Sequence, residues 1–212
     1  MRDDPQDARS GRDGAHHAGI VPNPARDRTV RLPRAEPEQI NPPAAEHVAA
    51  VYGLLPSKHR LALLWLDWSG ARVSSVDLTV VGDYDEPRRR VRLRAATTKT
   101  RKALWVDVHP ALAGALERQL GAREDRDPEA RLFAGSGADA LRTAIGKACK
   151  AAGVPLFSPH DLRHRRISLL LLQGMPWARI ADFVGQKDLT VTANTHARPG
   201  RRAELDYANL LG

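Results

Sequence analysis

Two short stretches of this 212-residue chain concentrate side chains that handle charge. The first is Ser158-Pro-His-Asp-Leu-Arg-His-Arg-Arg166. Ser158 followed by Pro159 reads as a helix start, a capping hydroxyl and then a ring that suits the first turn. On such a helix His160 and Arg163 lie three apart and share a face. His160 also falls in the first turn, where unpaired amides and the helix dipole favour an anion. An imidazole donor beside a guanidinium fork suits the two non-bridging oxygens of one phosphate. Helix capping with ordinary surface charge would give the same spacing, and spacing alone does not separate the two readings. The second stretch, 88–102, holds Arg88, Arg89, Arg90, Arg92, Arg94, Lys99, Arg101 and Lys102 without an acid. Cations this dense repel one another, so a phosphate backbone explains them better than a bare solvated surface. A flexible lysine at the end of such a stretch has a further option, to protonate a leaving oxygen.

The elements that must position these groups follow from pattern. Val48, Val51, Leu54 and Leu55 have helical spacing between Pro43 and Pro56. Ser57 is placed to cap a second helix carrying Leu61, Leu64, Trp65 and Trp68, which Gly70 ends. Its tryptophans read as core and not as a platform for bases. Arg90–Arg94 and Leu104–Val108 alternate with period two, which predicts a β-hairpin whose polar tip is 97–102. Helices are expected at 110–120, at 138–151 before Gly153, from Ser158 to Gly174, and from Pro176 to Val184 before Gly185. Shorter ones are expected at 190–196 and 204–211. The fold class is therefore mainly α with a small β element. Residues 1–22 are polar and without periodicity and read as a disordered tail. Residues 23–43 are proline-rich and read as a linker. The folded domain is expected over 44–211.

Bulk properties narrow the partners. Residues 1–40 carry seven arginines and seven acids, so the whole net charge of +8 belongs to the part with a core-forming pattern. A basic folded domain points first to nucleic acid. No apolar run approaches a membrane span and no leader is evident, so a cytoplasmic protein without a membrane partner is expected. The single cysteine, Cys149, excludes an internal disulfide and a cysteine-based metal cluster, and reads as a small buried side chain.

The string HDLRH at 160–164, followed by an apolar helix, resembles the signature of the tyrosine recombinase (phage integrase) family. Other fragments resemble it in the same order: Gly70-Ala-Arg72 its first-arginine motif, Thr98-Lys-Thr100 its lysine-bearing hairpin, and Arg179-Ile-Ala-Asp-Phe-Val-Gly-Gln186 the approach to its His/Trp position. Thr192-Ala-Asn-Thr195 is similar to the approach to its nucleophile, and the closing 204–211 to the tail of actinobacterial integrases. The likeness covers roughly residues 23–211, and the ordered set is far more specific than any fragment. It implies the DNA breaking-rejoining catalytic-domain fold, double-stranded DNA as partner, integration and site-specific recombination as activity, and assembly with other integrase protomers, a tetramer in the family. By the resemblance Arg72 and Arg163 would clamp the scissile phosphate. His160 would assist as acid/base, and Lys99 would protonate the leaving 5′-oxygen, with Arg101 or Lys102 as substitutes. Arg90, Arg92, Arg94, Arg101, Lys102, Arg165 and Arg166 would contact DNA. No metal or other cofactor is implied, because the arginines supply the positive charge.

Three departures from the family pattern stand out. Gln186 occupies the His/Trp position, where an amide can still donate to a phosphoryl oxygen. Ser75 stands where the first-arginine motif has Glu, which affects how Arg72 is oriented. His196 occupies the position of the nucleophilic tyrosine, or that tyrosine is deleted. Tyr52 and Tyr84 lie far upstream, and Tyr207 falls eleven residues beyond the expected place. Strand cleavage is therefore expected to be deficient, with Tyr207 as a substitute nucleophile the open alternative. Only about forty residues precede the first helix, which leads to the expectation of a truncated chain lacking the family's N-terminal core-binding domain. Three classes of function remain: an integrase catalytic domain disabled for strand transfer, a non-catalytic DNA-binding module that regulates or pairs with active integrases, and a basic helical protein with no DNA role. The last predicts that duplex binding would not depend on Arg72, Lys99 or Arg163.

Overall fold

The computed structural model describes residues 42–95, 103–185 and 203–212, all within one compact unit, Glu38–Gly212. The expectations for the tail 1–22 and for most of the linker 23–43 lie outside the described residues. So do those for the hairpin tip 97–102 and the helix 190–196. Pro42 and Pro43, assigned to the linker, are buried.

The first helix, α1 (Ala45–Leu54), buries Val48 and Val51. Helix α2 (Ser57–Ser69) follows directly. Ser57 is its first helical residue and makes no capping bond, because Pro56 already sets the turn. Helix α2 is the centre of this unit. Ala62 to Leu66 are all fully buried, and α2 packs on the later helices α4 (Pro110–Leu120), α5 (Ala138–Ala152) and α6 (Pro159–Leu172). A fully buried leucine contributes roughly 1.5–3 kcal/mol, so this run of side chains is a large part of what holds the domain together. Gly70 ends α2 in the left-handed conformation at φ +59°, which a side chain would strain. A short helix α3 (Ser75–Leu78) comes next.

The sheet has three antiparallel strands in the order β1 (Tyr84–Asp85), β2 (Arg90–Leu93) and β3 (Leu104–Asp107). Alternation predicted β2 and β3, each within one residue of its observed end. The two residues of β1 are too short to give a periodic signal. Val91 lies opposite Val106 and both face the core, while Arg90 lies opposite Asp107 and Arg92 opposite Trp105.

Helix α6 begins as read. Ser158 Oγ accepts from the His160 N–H at 3.2 Å, and the Asp161 carboxylate accepts from the Ser158 N–H at 2.7 Å, a reciprocal cap. Helix α7 (Trp177–Val184) is held on α6 by a small separate apolar cluster of Ile167, Leu170, Ile180 and Val184. The final helix, α8 (Tyr207–Leu211), starts later than expected because the Asp206 carboxylate accepts from the Asn209 N–H and sets the boundary. Among the described residues no helix is long and apolar enough to cross a membrane.

Candidate functional site

Arg72, His160 and Arg163 come together around one cavity of about 430 Å³. Its floor is the turn after α2, Ala71 to Ser74, and its walls are Ser158, Pro159, His160 and Arg163 of the α6 entrance and Arg142 of α5. Three guanidinium groups and an imidazole share this space, and none of the described lining residues is a carboxylate. Such a concave, positively charged surface is complementary to an anion.

Arg163 is the most constrained member. It is only 4% exposed. One Nη donates to the Gly70 carbonyl at 2.6 Å and the other to the Val184 carbonyl at 2.9 Å. These carbonyls lie at the C-terminal ends of α2 and α7, where the helix dipole is negative and favours a cation. Burial, with the Arg72 charge beside it, lowers the guanidinium to about 10, so it stays cationic at neutral pH. The left-handed turn at Gly70 thus does two things: it presents a carbonyl to Arg163 and starts the loop that carries Arg72. A Cβ at Gly70 would also sit 3.3 Å from Arg166 Cβ.

His160 is exposed on the rim, and its ring packs edge-on against His164 with centroids 4.4 Å apart. Capping of α6 is carried by Ser158 and Asp161, so the His160 ring is left for the cavity. Ser75, where the resemblance expects Glu, is buried, and its hydroxyl finds no hydrogen-bond partner among the described residues.

Two expectations are corrected by the structure, and the open alternative of Tyr207 as nucleophile loses its support. Arg165 and Arg166 do not face a DNA strand. Arg165 is fully buried, with Nε 3.2 Å from the Asp67 carboxylate and Nη2 donating to the Ala203 carbonyl. Arg166 is buried under Trp68 and Phe183 and pairs with Glu204 at 2.7 Å. Tyr207 is not poised to attack. It is 3% exposed, its hydroxyl donates to Asp67 at 2.6 Å, and burial beside that carboxylate pushes its pKa well up. The basic stretch on β2 is not without acids. Asp85 lies opposite Arg90 in the sheet register and accepts from Arg90 and Arg88, while Asp83 accepts from Arg94 at 2.9 Å. Arg92 is exposed, and the Arg90 guanidinium lies 4.3 Å from the centre of the half-exposed Trp105 ring. Cys149 is buried, as read.

Lys99, Arg101, Lys102, Gln186 and His196 lie outside the described residues. Arg142 is the member that sequence reading missed; it belongs to no motif, and only the packing of α5 brings it to the cavity.

The fold matches solved site-specific recombinases. An XerA recombinase superposes with a TM-score of 0.61 at 18% identity, covering 80% of this chain and 63% of that one. The Tn1549 transposon integrase in complex with transposon right end DNA gives 0.59 at 18% identity, covering 77% and 63%. The integrase from mycobacterium phage Brujita gives 0.58 at 18%, covering 86% and 66%. Identity this low establishes the fold alone, and the chain spans about 63% of the length of the first two. No curated protein matches the sequence. The phage integrase family model matches residues 38–200, and the chain belongs to that family.

Proposed function

We propose that this chain is the catalytic domain of a DNA integrase or site-specific recombinase that holds duplex DNA by one backbone phosphate and is deficient in strand cleavage. The observation that carries the reading is the convergence of Arg72, His160 and Arg163 on one cavity with no carboxylate among its described lining residues. Two guanidinium forks and an imidazole can donate to both non-bridging oxygens of a phosphodiester and offset charge as it builds on phosphorus. The integrases of known structure include ones solved on DNA, such as the lambda integrase dimer bound to a core site. In this reading Lys99 serves as acid for the leaving oxygen, Gln186 donates to the phosphate, and His196 stands where the attacking phenol belongs. Arg92 and the exposed arginines of the sheet supply further backbone contacts.

A non-catalytic variant of this reading, in which the domain occupies DNA or pairs with active protomers, draws support from the tyrosines. None of the three lines the described cavity, and Tyr207 is locked to Asp67. One experiment addresses both. The wild type and a His196→Tyr variant are incubated with a nicked suicide substrate carrying the cognate site, and covalent adducts are resolved on a denaturing gel. An adduct with the variant alone is the expected result. An adduct with the wild type would overturn the cleavage deficiency, and absence of DNA binding by both would overturn the DNA role.

A further inference from the structure

The cavity is larger than its three motif residues need. A phosphate group is four oxygens of about water size, roughly 30 Å³ each, and so fills a minor part of 430 Å³. Its lining also includes Arg142, on the second turn of α5, which lies in none of the recombinase-like sequence fragments. Its side chain is half exposed and its ion-pair partner, Asp139, is almost wholly exposed at 95%. An exposed i,i+3 pair of this kind is worth little, of the order of a few tenths of a kcal/mol, so an incoming anion competes with it readily. Successive phosphates on one strand follow about every 3.4 Å of helix axis. A strand whose phosphate sits between Arg72 and Arg163 therefore carries a neighbouring charge close by, and Arg142 is the other guanidinium among the described lining residues.

We propose that Arg142 forms a second phosphate subsite in the same cavity, binding the phosphodiester next to the one held by Arg72, His160 and Arg163, with Asp139 as the counter-ion it leaves. The subsite rests on the reading of the cavity as a phosphate cradle. Asp139 acts as an internal competitor: while it holds Arg142, the α5 wall is neutral, and DNA must displace it.

The test is equilibrium binding of a fluorescent 30-base-pair duplex to the full chain across salt, for wild type, Arg142→Ala, Asp139→Asn, the double variant, Arg72→Ala, and Arg123→Ala as an arginine that does not line the cavity. Thermal melting checks that each variant is folded. One lost phosphate contact flattens the log–log salt dependence by about 0.9. The wild type's advantage over Arg142→Ala should therefore shrink about 3.5-fold between 50 and 200 mM salt, with Arg123→Ala unchanged. Asp139→Asn should bind up to several-fold tighter at low salt, and only when Arg142 is present. A slope for Arg142→Ala equal to wild type, with Arg72→Ala reduced, overturns the subsite and leaves the cradle standing. Unchanged slopes in both overturn the cradle itself, and a gain from Asp139→Asn that persists without Arg142 overturns the competitor role.

Discussion

Arg163 and His59 show how much a single side chain can carry in this domain. Arg163 joins the ends of α2 and α7 through two carbonyls and still borders the cavity, so its fork geometry serves folding and ligand binding at once. His59 is buried elsewhere, 2.9 Å from the Ser136 hydroxyl, and burial with the nearby Lys58 charge lowers its pKa below 6.5. In the unfolded chain it takes up a proton near 6.5, whereas the folded protein resists protonation until lower pH. The unfolded state therefore binds more protons on acidification, and stability falls as pH drops through about 6.5. The melting temperature should decline between pH 7.5 and 5.5, and less so in His59→Gln; identical pH profiles for the two would refute this. At this scale the sequence anticipated that Arg72, His160 and Arg163 would line one cavity, because their motifs end on elements that pack together. It misled at Arg165 and Arg166. A run of arginines reads as exposed, and the carboxylate that makes burial of Arg165 tolerable, Asp67, lies far upstream on another helix.

Among the elements, the sheet is the one whose charge differs most from its sequence. Strand β1 lies against β2 and brings Asp85 beside Arg88 and Arg90, which partly neutralises a face that reads as wholly basic. Asp85→Asn should free both arginines. Duplex affinity at 50 mM salt should rise by a few-fold, with the gain fading by 200 mM as screening grows. Fluorescence anisotropy would register this, and an unchanged affinity would mean that this face does not meet DNA. Several helix boundaries set by a local device were legible, Gly70 and Gly185 in left-handed turns and Ser158 with Asp161 as a cap, whereas the Asp206 cap of α8 was not. Strand β1 was not, since two residues have no period and their place in the sheet comes from pairing with β2.

At the scale of the whole molecule, a mainly helical domain with a small antiparallel sheet follows from pattern, because hydrophobic period and turn residues agree along most of the chain. The part that pattern could not supply is how the closing residues attach. Tyr207 reaches Asp67 across 140 positions of sequence, and the Ala203 carbonyl and the Glu204 side chain receive Arg165 and Arg166. No local signal encodes such pairings. Helix α8 packs on α4, and Arg118 of α4 donates to the Leu211 carbonyl at 3.0 Å.

Chain ends ordinarily fray and are trimmed by proteases without consequence. Here Tyr207 donates to a buried carboxylate that Arg165 also pairs, and losing a hydrogen bond to a buried charged group costs on the order of 1.5–3 kcal/mol. Carboxypeptidase digestion should accordingly stall before Tyr207 in the folded protein and pass that point only as fast as whole molecules unfold. Adding urea should accelerate the release of Tyr207 in step with loss of the circular dichroism signal. Early release at full helicity would show that the clasp on Asp67 opens on its own.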